Sequence, residues 1–316
     1  MKAFSKRAVL ALAMAAGAAS AFSAPAPTKH EFLALDEGLV TLLHVDERNP
    51  DRDWVVPVGR ATPRDLQLIG DGRVLVGHDA GYTEFDLATG KVRREVARFK
   101  GVTSARRLPS GHTLLAGVDL DGAKGVVLLE IDAADTVRRR RVLPGNYVRL
   151  VRETPQGTWL LMNDTMIREV GDDGALLHEW IVPGFRHAWK AVRLPGGHTL
   201  ASAGFGAFLA ELDAKGNVVR RFGGKDTVPA AVAPNFYATF QLLPNGHVVV
   251  ANWQGHGPGH GASGVQLLEF DRAGAIAWRW SDAERISSLQ GVLILDGLDV
   301  ARLHDERNGI MTPIDR

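Results

Sequence analysis

The chain has 316 residues, 45% of them hydrophobic, with 37 basic against 36 acidic side chains and no cysteine. That is ample apolar material for a core, while a mean hydropathy of −0.05 excludes a protein of many membrane spans. A near-neutral balance gives no electrostatic footprint for nucleic acid or an anionic membrane, and the lack of cysteine excludes disulfides and thiol chemistry.

The first element is a targeting segment. Lys2, Lys6 and Arg7 precede an uninterrupted small and apolar run from Ala8 to Ala19, followed by small residues at Ala19-Ser20-Ala21 and Ala21-Phe22-Ser23. Basic, apolar, then small is the pattern of a bacterial secretory signal, expected over residues 1–23. The run is shorter than the roughly 20 residues of a membrane span, so no span is expected after cleavage. Losing three cations and no anion moves the net charge from +1 to −2. The mature chain, 24–316, is expected to be a single domain in the periplasm or the medium.

Three strand-length runs come next: Phe32-Leu33-Ala34-Leu35, Val40-Thr41-Leu42-Leu43-His44 and Trp54-Val55-Val56. From residue 62 a unit then returns five times, at roughly 40 to 50 residues each. Its core is apolar-x-Leu-Pro-x-Gly-x-apolar-apolar, with the first turns ending at Gly72, Gly111, Gly157, Gly197 and Gly246. A Glu-apolar-Asp element follows as Glu84-Phe85-Asp86, Glu130-Ile131-Asp132, Glu211-Leu212-Asp213 and Glu269-Phe270-Asp271, with Glu169-Val170-Gly171 as the degenerate copy. Second turns stand at Thr89-Gly90, Asp173-Gly174, Lys215-Gly216 and Ala273-Gly274. Each unit therefore reads as four short strands joined by hairpins, with Pro presetting the turn and Gly closing it.

The units span 62–96, 103–142, 147–182, 188–222 and 237–281, and one further strand runs from Leu289 to Leu295. A four-stranded sheet of this size cannot cover both of its faces, so neighbours must stack. The three leading strands plus the final one make a sixth sheet. The expected fold is all-β: a six-bladed β-propeller of four-stranded blades, closed by N- and C-terminal strands sharing one blade, with seven blades if Leu298 onward adds more. Closure of this kind removes exposed sheet edges.

Segments such as Asp86-Leu87-Ala88-Thr89-Gly90-Lys91-Val92 and Glu211-Leu212-Asp213-Ala214-Lys215-Gly216-Asn217-Val218-Val219 resemble PQQ-type propeller repeats. No PQQ or other cofactor is expected, because the vicinal cysteine pair of quinoprotein dehydrogenases has no counterpart here. His187-Ala188-Trp189-Lys190-Ala191-Val192-Arg193-Leu194-Pro195-Gly196-Gly197-His198-Thr199-Leu200 is similar to the blades of arylsulfotransferase-like propellers. Gln241-Leu242-Leu243-Pro244-Asn245-Gly246-His247 shares the same core. That resemblance implies a periplasmic six-bladed propeller and a central histidine nucleophile, here His187.

The repeat sorts the histidines. His112, His198 and His247 follow the turn glycine, where other units carry Arg73 and Thr158, and they read as one structural slot. Propeller ligands normally sit over the channel, on loops entering the innermost strand or leaving the second. Loops of the first kind carry Arg64, Tyr147, His187, Trp189 and Tyr237. Loops of the second kind carry His78, Asn163, Asn252, Trp253 and His256. These ten residues are the candidate ligand set, with His187 and His256 as the candidate catalytic groups and Arg64, Arg149, Lys190 and Asn163 as possible stabilisers of negative charge. The Gly-rich segment from Ala251 to Gly264 is long for a loop within a blade, which often marks a functional loop. No metal site is expected from His256 and His260, since a Gly-rich loop does not fix imidazole geometry. The expected function is binding of a small molecule or saccharide at the channel, with a partner protein also possible on the propeller face. The alternative is an enzyme, either sulfotransferase-like or a polysaccharide lyase or hydrolase, using a channel histidine.

Overall fold

A computed structural model describes residues 28–314, so the expected signal segment lies outside the described residues. Six four-stranded antiparallel sheets form the blades. In the first blade the order is Leu289–Ile294, Glu31–Asp36, Thr41–Asp46 and Trp54–Pro57. The C-terminal strand pairs antiparallel with the N-terminal one, Phe32 opposite Ile294 and Ala34 opposite Val292. Ring closure is thus as the sequence predicts. Gly291 permits it, because a Cβ there would stand 2.8 Å from Leu35 Cβ.

Blades two to six follow in chain order. They begin with strands Asp65–Gly70, Val102–Arg107, Val151–Glu153, Ala191–Arg193 and Phe236–Leu242. First strands are almost wholly buried, whereas outermost ones such as Val92–Val96 and Leu176–Ile181 are largely exposed. Burial therefore concentrates toward the channel and between blades.

The two parts of the repeated motif have separate jobs. The turn-slot side chain bonds the glutamate of its own blade in all five units: Arg73 to Glu84 at 2.8 Å, His112 to Glu130 at 2.7 Å, Thr158 to Glu169 at 2.5 Å, His198 to Glu211 at 2.6 Å and His247 to Glu269 at 2.6 Å. The aspartate closes the next turn by accepting backbone N–H groups, as Asp132 does from Ala134 and Thr136 and Asp271 from Ala273 and Ala275. This is an Asx turn, which stabilises a hairpin without any Cβ-specific packing. Outer-strand aromatics pack on the second turn of the next blade. A Cβ on Gly216 would fall 1.9 Å from Trp180, and one on Gly90 would fall 3.0 Å from Trp54.

Beyond Leu298 the chain adds no seventh blade. It forms a small hairpin, His304–Asp305 with Thr312–Pro313, across the end of the channel where the Leu-Pro-x-Gly turns lie. Leu303 bridges Ile69, and Ile310 bridges Leu242. Glu306 enters the channel, where its carboxylate bonds Arg152 and, at 2.6 Å, Lys190 Nζ. Asp65 completes this cluster through Arg152 Nη2 at 2.7 Å. Arg106 lies 3.8 Å from Asp65 and 3.9 Å from Glu306, so three buried cations gather on two carboxylates and plug that end.

Candidate binding site at the channel mouth

At the opposite end, loops of five blades surround a cavity of about 190 Å³. Blade one contributes Glu37 and Gln290, blade two Thr62 and Arg64, and blade four Arg149. His187, Trp189 and Phe205 come from blade five, and Phe236, Trp253 and His256 from blade six. An apolar cavity of about 150 Å³ suffices for benzene, so this cup has room for a ring and a substituent.

One side of the cup is an aromatic wall. Trp189 and Phe236 meet edge to face at 5.4 Å, Phe205 and Phe236 at 4.7 Å, and Phe236 and Trp253 at 5.4 Å. Such T-shaped contacts fix the rings beyond what simple burial does. Trp189 and Trp253 are only 3% and 6% exposed, so they belong to the core of the fold as well as to the wall.

Polar groups stand at the rim. Glu37 accepts from Trp253 Nε1 at 3.1 Å and contacts His256 Nδ1 at 3.0 Å. The Gly-rich loop carrying His256 is anchored: Ser288 Oγ accepts Gln254 N and Gly255 N at 2.8 and 3.0 Å, and Ser287 Oγ donates to the Gly257 carbonyl at 2.7 Å. Gly38 lets that loop approach, since a Cβ there would stand 2.5 Å from the Gly257 oxygen. His187 has φ of 58°, an uncommon left-handed conformation for a non-glycine residue. Asp164 holds it, accepting its backbone N–H at 2.8 Å. Burial, and then the charge of Arg149, lower the pKa of His187.

Arg149 lies over the Tyr147 ring at 4.3 Å and over the Trp189 ring at 5.4 Å. Among the described residues Arg64 donates only to the Val102 carbonyl, at 3.4 Å. Burial, and then Arg149, push the Arg64 guanidinium down to about 10. Arg149 is lowered by burial as well.

Of the ten sequence-named ligand candidates, the structure brings Arg64, His187, Trp189, Trp253 and His256 together around the cup. Tyr147 sits behind it, edge-on to His187 at 5.2 Å. The other four turn elsewhere, each satisfying a buried polar group. His78 pairs with Thr83 Oγ1 at 3.3 Å, and burial lowers its pKa to about 4. Asn163 donates to the Tyr147 carbonyl at 3.0 Å, and Tyr237 donates to the Gly223 carbonyl at 2.6 Å. Asn252 accepts Asn235 N at 2.9 Å and donates to the Val265 carbonyl at 2.8 Å. Lys190 is also outside the cup, in the channel cluster below it. Tyr147 and Asn163 line a second, largely apolar cavity of about 280 Å³ between blades three and four.

Glu37, Thr62, Phe236 and Gln290 are cup residues that the sequence reading did not single out. Glu37 lies in the composite blade, whose turn Asp36-Glu37-Gly38 carries no repeat signature. Among the described residues, no cluster of three or more His, Cys, Asp or Glu is arranged to hold a metal ion.

No family model matches the chain, and a search of curated proteins finds no match. Among solved structures, a protein of unknown function from Bacteroides caccae is similar over 84% of this chain and 99% of its own, at 19% identity and a TM-score of 0.69. The WD40 β-propeller domain of Doa1 is similar over 80% of this chain and 79% of its own, at 12% identity and a TM-score of 0.55. A streptogramin B lyase is similar over 84% and 97%, at 10% identity and a TM-score of 0.52. These likenesses show the β-propeller fold.

Proposed function

We propose that the channel-mouth cup is a binding site for a small organic molecule, a ring compound or a saccharide, in a protein exported to the bacterial envelope. The observation that carries this reading is the convergence of Trp189, Phe205, Phe236 and Trp253 on one cavity with polar groups at its rim. Small-molecule sites are built this way, with an apolar wall for affinity and a few polar groups for orientation. Export rests on the basic, apolar and small segment at residues 1–23. The test is ligand screening by isothermal titration with Phe205→Ala, whose ring is only partly buried. The variant is expected to weaken binding with its fold intact. Equal binding by the variant and the parent protein counts against the cup.

A second reading is catalytic, and one contact favours it. The Glu37 carboxylate sits on His256 Nδ1, the arrangement by which a carboxylate orients a general base. Nε2 of that ring has no protein partner among the described residues. The arylsulfotransferase-like resemblance instead singles out His187 as nucleophile. If a bound compound is turned over, His256→Gln or His187→Gln should abolish turnover while leaving affinity within about three-fold.

A further inference from the structure

We infer that the ligand of the cup carries an anionic group (a carboxylate, sulfonate, or sulfate or phosphate ester) held jointly by Arg64 and Arg149. This rests on the cup being a binding site, and it names the class of compound that fills it.

Elsewhere in this chain buried cations are neutralised by carboxylates. Arg152 pairs with Asp65 and Glu306, Lys190 with Glu306, and Arg193 with Glu169. Arg64 and Arg149, both half-buried, depart from that rule. Both face the cup, and among the described residues neither has a carboxylate within 4 Å. Arg149 Nε and the Trp189 indole N–H beside it are buried without a hydrogen-bond partner among the described residues. Buried donors left unmade are unfavourable, and two like charges brought together add to that.

Nearby carboxylates act on the pair from a distance: Asp79 and Glu37 on Arg64, and Asp164 on Arg149. Glu37 lines the same cavity, but its oxygens are engaged by Trp253 and His256. Asp164 Oδ1 accepts the His187 backbone N–H and lies 3.4 Å from its ring Nδ1. Burial lowers the pKa of both guanidiniums by more than the surrounding carboxylates raise them, and among the described residues neither has a carboxylate in direct contact as counterion.

An incoming anion supplies that counterion. The Arg149 guanidinium stands over the Tyr147 and Trp189 rings, at 4.3 and 5.4 Å, and cation–π contact of this kind uses the charge without consuming an N–H donor. Carboxylate, sulfonate and sulfate oxygens match such donors in charge-assisted hydrogen bonds. The aromatic wall beside the pair then takes the organic remainder, which inorganic phosphate or sulfate would leave uncovered.

The experiment uses matched probes on the mature protein: benzoate against benzyl alcohol, and glucuronate against glucose, by isothermal titration at low salt. The acid of at least one pair is expected to bind about ten-fold or more tighter than its neutral partner. Arg64→Gln and Arg149→Gln should each erase that margin by weakening the acid far more than its neutral partner, with thermal melts confirming the fold. Neutral probes binding as tightly as the acids would overturn the anion assignment and leave the cup standing. Preference for the acids that survives both substitutions would also overturn it. Failure of all four probes to bind would remove the cup reading and this inference with it.

Discussion

The His30 imidazole joins Glu269, 2.8 Å from its Nε2, to Asp296, 2.5 Å from its Nδ1. His30 precedes the first strand, Glu269 belongs to the sixth blade, and Asp296 follows the closing strand, so one ring clasps the seam of the propeller. Burial lowers its pKa, but hydrogen bonds and charge from Asp296 and Glu269 outweigh that and raise it to about 9. The folded state then holds a proton that the unfolded chain releases near 6.5. Stability from this clasp is complete below pH 6.5 and is lost as pH rises through about 9. Thermal melts should show a fall between those values, worth on the order of 2–3 kcal/mol. His30→Gln should flatten it and lower stability at pH 6. Parallel alkaline limbs in the two proteins would contradict the clasp.

Much of the fold was legible because the repeat marks each hairpin twice, once by the turn glycine and once by the aspartate. The composite blade escaped that search, and its chemistry explains why. Glu31 pairs across the sheet with Asp46, where other blades put the slot residue opposite the turn aspartate. His44 takes the place of the glutamate, and its Nε2 lies 3.0 Å from Glu31 Oε1. The pair is conserved in kind but reversed in order, so a residue-by-residue repeat does not register it. Within the site, loop position revealed which end of the blade a residue occupies but not which way its side chain turns. That is why His187 and Trp253 reach the cup while Tyr237 and Asn252 are spent on backbone groups. Nor could spacing reveal Glu306, whose partner Lys190 is 116 residues away.

The reversed pair predicts a rescue. Glu31→His and His44→Glu should each destabilise by about 1–2 kcal/mol by placing like groups together or leaving one unpaired. The double exchange should recover most of that loss in urea melts. Additive losses in the double variant would show that the two side chains act independently.

The C-terminal plug makes a larger prediction. Glu306→Gln leaves Arg106, Arg152 and Lys190 in a buried channel with Asp65 as their remaining carboxylate. Removing one partner from a buried ionic cluster costs about 3–5 kcal/mol. Deleting residues 299–316 should destabilise the protein similarly but keep unfolding cooperative, since the closing strand remains. Deleting 286–316 should expose two sheet edges and produce aggregation. A cooperative melt near the parent temperature after the longer deletion contradicts ring closure.

Controls at the far end separate structure from binding. His112→Ala and His198→Ala remove turn-slot contacts on the opposite side of the blades from the cup, so ligand affinity should be unchanged. Trp189 and Trp253 need gentler substitution than loop residues would. At 3% and 6% exposure they are core side chains, and replacement by alanine would cost about 3–5 kcal/mol. Trp253→Phe keeps the packing and removes the bond to Glu37, and it should weaken ligand binding without loss of the fold.

Export is checked by intact mass. The mature protein should begin between Ala21 and Pro25 in the periplasm or medium of its host. Soluble cytoplasmic protein that retains Met1 to Ala19 would contradict this.

The most direct test of the binding site uses the seven tryptophans as reporters. Two of them, Trp189 and Trp253, wall the cup, and the other five lie away from it. Indole N–H resonances of ¹⁵N-labelled protein should be followed while benzoate or glucuronate is titrated in. The account predicts saturable shifts at Trp189 and Trp253, with Trp54, Trp159, Trp180, Trp278 and Trp280 unmoved. Shifts confined to those five, or none at any tryptophan, would contradict it.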